Sequence, residues 1–133
     1  MHYLTTLNTF APVAGRLLIS IIFLMAGISK ITGYAGTQAY MESAGVPGML
    51  LPLVIGLEIL GAVALMIGYR TRLAALLLAG FTVVSALLFH NMFVDSSQTI
   101  MFMKNLAIAG GLLLLVANGP GLVSVEEGMP KKQ

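Results

Sequence analysis

Residues 49–69 read MLLPLVIGLEILGAVALMIGY and carry one charged side chain, Glu58. A run this long and this apolar reads as a membrane-spanning helix. At a rise of about 1.5 Å per residue, Glu58 falls roughly 14 Å from the nearer end, close to the bilayer midplane. A short carboxylate cannot snorkel that far. It must be protonated, face a wet cavity, or pair with a cation from another helix. The other spans therefore have to supply whatever surrounds it.

The rest of the chain is built to the same specification. It is 58% hydrophobic and 9% charged, whereas a soluble domain carries roughly 25% charge. Three further apolar runs, at about residues 12–31, 73–93 and 100–118, each approach the roughly 20 residues that a crossing needs. The expected architecture is all-α: an integral membrane four-helix bundle, one transmembrane domain over residues 1–133, with 119–133 a short, polar, frayed tail. Pro12 and Pro52 suit first helical turns, where a missing N–H is not needed. Gly119, Pro120 and Gly121 stop the fourth helix. Arg70, Thr71 and Arg72 read as a tight turn, and residues 32–48 as a longer loop. Residues 1–10 hold no Lys or Arg, and the first run ends in Lys30 rather than at a small-residue cleavage site. The first helix is therefore expected to be retained.

Orientation follows from the basic residues. The end that carries the N-terminus also receives Arg70, Arg72, Lys131 and Lys132. The other receives Lys30 and Lys104, with Glu42 and Asp95. The positive-inside rule then places both termini of this multi-pass chain in the cytoplasm.

Projected at 100° per residue, each helix shows a small-and-polar stripe opposite a Leu/Ile/Val face. Arg16, Ser20, Phe23, Gly27 and Lys30 share one stripe on the first helix. Glu58 shares a face with Gly61 and Ala62 on the second. Ala75, Ala79, Thr82, Ala86 and Phe89 align on the third, flanked by Ser85 and His90. Lys104, Ala107, Gly111 and Asn118 align on the fourth, with Asn105 to one side. Small residues let membrane helices approach closely, and polar ones bond across the interface. The candidate ligand-binding set is therefore Arg16, Lys30, Glu58, His90, Lys104 and Asn105, with Glu58 the candidate catalytic group. Each also has a plainer role. Arg16, Lys30 and Lys104 lie near enough to a membrane surface to snorkel. His90 reads as a helix-closing group, and Glu58 as half of a structural ion pair.

Several chemistries find no support in the residues. The chain has no cysteine, which removes disulfides, thiolate metal sites and iron–sulfur clusters. His2 and His90 cannot clamp a haem, and Met92, Met101 and Met103 are ordinary packing residues before they are copper ligands. No phosphate loop, triad pattern or zinc spacing occurs. No metal and no intrinsic cofactor is expected, and a net charge of +2 is too small to indicate nucleic acid.

The same positions resemble a known family. Arg16 with Gly27-Ile28-Ser29-Lys30 looks like the first-helix pattern of the DoxX family. Glu58 followed by Gly61, Gly68 and Arg72 looks like its second, and Lys104-Asn105 followed by Gly110-Gly111 like its fourth. The runs GYAGTQAYMESAGVPG and MFMKNLAIAGG look closest to an uncharacterised inner-membrane branch. The resemblance covers about residues 11–124. It implies a four-helix integral membrane protein with Arg16, Lys30, Glu58, Lys104 and Asn105 as pattern positions. It also implies an association with quinones: the family is named for a subunit of a thiosulfate:quinone oxidoreductase, and some relatives are associated with quinone, catechol or oxidative stress.

The resulting expectation is a membrane protein that holds a quinone-like or other amphiphilic ligand between its helices, in support of a redox or detoxification process. Membrane lipids, a soluble redox partner and further copies of the chain are the expected neighbours. Two alternatives stand beside it: a transporter or channel for a small solute or lipid, and a non-catalytic membrane anchor for a soluble enzyme.

Overall fold

The computed structural model describes residues 2–90 and 96–129, with side chains from Thr5 onward. The helices in chain order are α1 (His2–Thr32), α2 (Tyr34–Ser43), α3 (Leu51–Ile67), α4 (Thr71–Phe89), α5 (Ser96–Asn118) and the single turn α6 (Val125–Gly128). A 3-10 turn, Gly48–Leu50, leads into α3. Four segments are long and apolar enough to cross a bilayer: Thr5–Thr32, Gly48–Ile67, Thr71–Phe89 and Ser96–Asn118. The described residues contain no strand.

The bundle consists of two close pairs. α1 packs along α3, α4 packs along α5, and α3 against α4 joins the pairs. The apolar core between them is Phe23, Ala62, Leu65, Ala75, Leu78 and Leu112 with their neighbours. Gly61 makes the α3–α4 approach possible, because a Cβ there would stand 2.9 Å from Leu78. Outside the core, large aliphatic side chains lie open, among them Leu18 at 71%, Leu53 at 71% and Leu60 at 72% exposure. Such a surface is an aggregation hazard in water and the ordinary face of a protein in lipid.

Several sequence expectations are corrected. α1 begins before Pro12, which therefore lies inside the helix and removes one backbone bond there. The stretch read as a loop after Thr32 contains α2, a ten-residue helix. The tight turn is centred on Gly68, Tyr69 and Arg70 rather than on 70–72. Gly68 ends α3 at φ 74°, and Arg70 starts α4 at φ 45°, both in the left-handed region. α4 runs to Phe89, and residues 91–95, where the expected end of the third helix and Asp95 fall, lie outside the described residues, as do Lys131 and Lys132.

The tail differs most from expectation. Residues 119–129 are not frayed but fold across the end of the bundle that carries the termini. Gly121 packs against Pro12. Ser124 caps α6 by accepting from the Glu127 amide at 3.2 Å. The Glu126 amide donates to the Gly68 carbonyl at 3.0 Å, and its carboxylate accepts from the Thr71 amide at 3.3 Å. The tail thus satisfies orphan backbone groups at the end of α3 and the start of α4, with the acid on the favourable helix N-terminus.

Candidate functional site

Glu58 sits on the buried stripe of α3 with Gly61, Ala62 and Leu65. Gly27 of α1 lies against it: a Cβ at Gly27 would be 2.6 Å from Ile59 Cγ1 and 3.5 Å from Glu58 Cβ. One turn further along α1, Lys30 extends its ammonium to Glu58, with Nζ 2.6 Å from Oε1. The carboxylate side chain is 2% exposed and the lysine 27%. The approach is an ion pair rather than a well-angled hydrogen bond, since Oε1 has no hydrogen-bond partner of good geometry. Of the two roles open to Lys30, inward pairing and snorkelling, the ion pair turns it inward. The attraction is strongest where water is scarce.

The pair lies in the wall of a cavity of about 500 Å³. This is within the range of roughly 300–1,000 Å³ that small-molecule sites occupy. Its walls are mainly aliphatic and aromatic, including Phe23, Val54, Phe81 and Leu88, and its polar points are Lys30, Glu58, Ser85, His90 and Asn105. His90 closes α4, and its Nδ1 lies 2.9 Å from Gln98 Oε1, which ties the end of α4 to the first turn of α5. The Thr82 hydroxyl is already used, donating to the Leu78 carbonyl at 2.7 Å.

The six candidate residues therefore divide. Lys30, Glu58, His90 and Asn105 come together around one space. Arg16 does not join them. It is buried at the opposite end, where it donates to the Leu65 carbonyl at 3.1 Å and the Val123 carbonyl at 2.6 Å. It fastens the tail to the end of α3, where a cation is favoured by the helix dipole and by free carbonyls. Lys104 is exposed and outside the cavity wall. The inward side of α5 is Asn105, Ile108, Ala109 and Leu112, with Gly111 against Ile19 of α1, whereas Lys104, Ala107 and Asn118 are exposed. The physical reason is charge. Glu58 is already matched by Lys30, so turning Lys104 inward would bury a second cation without an anion.

The sequence reading missed the α2 contribution. Thr37, Tyr40 and Met41 line the cavity, and Tyr40 stacks on Phe89 with ring centroids 5.2 Å apart. Their spacing of three and four residues was a helical signal inside a stretch taken for a loop.

Comparison with known proteins agrees with this architecture. The DoxX family model matches residues 11–91. The chain is 52% identical to the inner membrane protein YqjF of Escherichia coli, over 95% of this chain and 97% of that one. It is 33% identical to the inner membrane protein YphA of the same organism, over 84% of each. It is 32% identical, over 55% of its length and 54% of the relative's, to CatD of Bacillus subtilis, provisionally named an oxidoreductase. No solved structure matches. Four apolar spans, a family match over more than half the chain and two close inner-membrane relatives make this an inner-membrane protein of the DoxX family.

Proposed function

We propose that the protein binds a quinone-like amphiphile in the Lys30–Glu58 cavity, in support of a redox or detoxification process. The observation that carries this reading is the meeting of Lys30, Glu58, His90 and Asn105, from α1, α3, the end of α4 and α5, around one largely apolar space. A quinone presents an apolar ring with carbonyl acceptors on its edge. The apolar walls suit the ring. Lys30 and Asn105 are donors for the carbonyls, worth most where water is excluded. Glu58 is the group that exchanges a proton with the ligand. Reduction of a quinone to a quinol takes two electrons and two protons; a redox partner protein supplies the electrons, and both protons come from water by way of the Lys30–Glu58 pair. The provisional oxidoreductase name of the relative CatD is consistent with this.

Binding is favoured over transport by the opposite end of the bundle. A transporter needs its site to open in turn to both sides, and here the tail, Arg16 and Gly68 pack that end closed. The exposed basic residues Arg70 and Arg72 at that end fit a cytoplasmic orientation of both termini.

The test is to purify the protein in nanodiscs, extract and identify bound quinone, and measure thermal stabilisation by decylubiquinone. Wild type is expected to be stabilised, and Glu58→Gln and Asn105→Leu much less so. No bound quinone and no stabilisation by any quinone tried would overturn the proposal.

A further inference from the structure

The cavity has two sides from which a ligand could arrive, and they differ. Towards the membrane surface it is covered by α2. That helix is held by the Tyr40–Phe89 stack, by the Gln38 amide donating to the Gly48 carbonyl at 3.4 Å, and by close packing of Gln38 and Glu42 over Gly48. Towards lipid the wall is incomplete. Among its lining residues, Ile22 of α1 is 50% exposed, Val84 and Leu88 of α4 are 54% and 45%, and Met101 of α5 is 43%. These four are apolar and belong to membrane-spanning segments. α4 and α5 are closely packed together, whereas α1 touches α5 only slightly, with Ile19 beside Gly111. The unfilled seam therefore lies between α1 and the α4–α5 pair.

We infer that the ligand enters and leaves sideways, from the hydrocarbon of the bilayer, through a mouth between Ile22 and the α4–α5 pair. α2 serves as a fixed cover on the aqueous side. This rests on the binding reading above and adds a route to it. An amphiphile dissolved in the membrane reaches the Lys30–Glu58 pair without crossing water, and its tail remains in lipid through the same opening. Among the described residues, a water-soluble ligand meets α2 and the Tyr40–Phe89 stack on that side.

The chain has no cysteine, so one introduced thiol is a unique label site. Ile22→Cys and Met101→Cys probe the mouth, Ala39→Cys, exposed on α2 and outside the cavity wall, the aqueous side, and Leu18→Cys, at an exposed lipid-facing position, is the control. Each variant is loaded with decylubiquinone in nanodiscs and labelled with a bulky maleimide. Release of the quinone into excess empty nanodiscs is then followed by chromatography. Labels at Ile22→Cys and Met101→Cys are expected to slow release about tenfold or more, as when passage rather than contact strength sets the off-rate. Labels at Leu18→Cys and Ala39→Cys are expected to leave it unchanged. Unchanged or faster release from both mouth variants, or slower release only from Ala39→Cys, overturns the lateral route. If the unlabelled protein retains no quinone at all, the binding reading itself fails, and the two failures are thereby distinguished.

Discussion

Lys30 Nζ lies 2.6 Å from Glu58 Oε1, and this contact joins the last turn of α1 to the middle of α3 inside the membrane. It answers the problem that a carboxylate near the bilayer midplane poses, and it leaves a neutral, polar point in an apolar cavity. Removing either partner has unequal consequences. In Lys30→Met the acid loses its cation and has no route to water. We expect a loss of about 2–3 kcal/mol, below the roughly 3–5 kcal/mol of a fully buried pair because Lys30 is partly exposed. In Glu58→Gln the freed lysine can turn to the nearby surface, and the loss is about 1 kcal/mol. The double variant should be more stable than Lys30→Met alone. Unfolding free energies in a double-mutant cycle check this, and strictly additive effects would contradict it.

Gly27 is the position that lets the pair form. A methyl group there meets Ile59, a stiff β-branched side chain, and must push α1 away from α3. Gly27→Ala is expected to cost about 1–3 kcal/mol and to weaken quinone stabilisation. Gly56→Ala, on the same helix as Glu58 with open space around it, is expected to leave stability unchanged or slightly higher. Paired thermal-unfolding curves with and without decylubiquinone measure both effects.

Arg16 tests the closed end. Its guanidinium bridges carbonyls of α3 and the tail, and each hydrogen bond from a charged group contributes about 1.5–3 kcal/mol. Arg16→Leu should lower stability and make residues 119–129 accessible to protease. Arg16→Lys should rescue little, because a point ammonium does not reproduce the fork. Quinone stabilisation should persist in whatever fraction remains folded, since Arg16 is not part of the cavity wall. Limited proteolysis followed by mass spectrometry, alongside thermal shifts, separates the two effects.

Lys104 and Asn105 are neighbours in sequence with opposite expectations. Lys104→Gln should change quinone binding less than about twofold, because the side chain is exposed and outside the wall. Asn105→Leu should weaken it by about five- to thirtyfold, the equivalent of one buried hydrogen bond at roughly 1–2 kcal/mol. Equilibrium titration with decylubiquinone reads both.

These neighbours also show how far the sequence carries. Four spans and the need to shelter Glu58 follow from hydropathy and from the length of an acidic side chain. The stripes of α1 and α4 follow from helical periodicity, and both are buried in the fold: Arg16, Ser20, Phe23 and Gly27 on one, Ala75, Ala79, Thr82 and Ala86 on the other. The stripe on α5 follows only in part. Gly111 is half-buried beside Ile19, but Lys104, Ala107 and Asn118 are exposed, and Glu58 already has its cation in Lys30. α2 is likewise hidden, since it packs over Gly48 and Phe89, contacts that the sequence does not show. The tail is hidden for a different reason. Its partners are the Gly68 carbonyl, the Thr71 amide and the Arg16 guanidinium, and the sequence does not reveal which groups will meet a backbone N–H or C=O.

The most direct measurement is photolabelling by an azidoquinone, with adducts mapped by peptide mass spectrometry. Binding at the Lys30–Glu58 cavity predicts adducts on α1 between Ile22 and Lys30 and on α5 around Asn105 and Ile108, both suppressed by excess decylubiquinone and by Glu58→Gln. Adducts confined to lipid-facing positions such as Leu18, Leu53 and Leu114, or labelling that neither competitor nor mutation reduces, would contradict it.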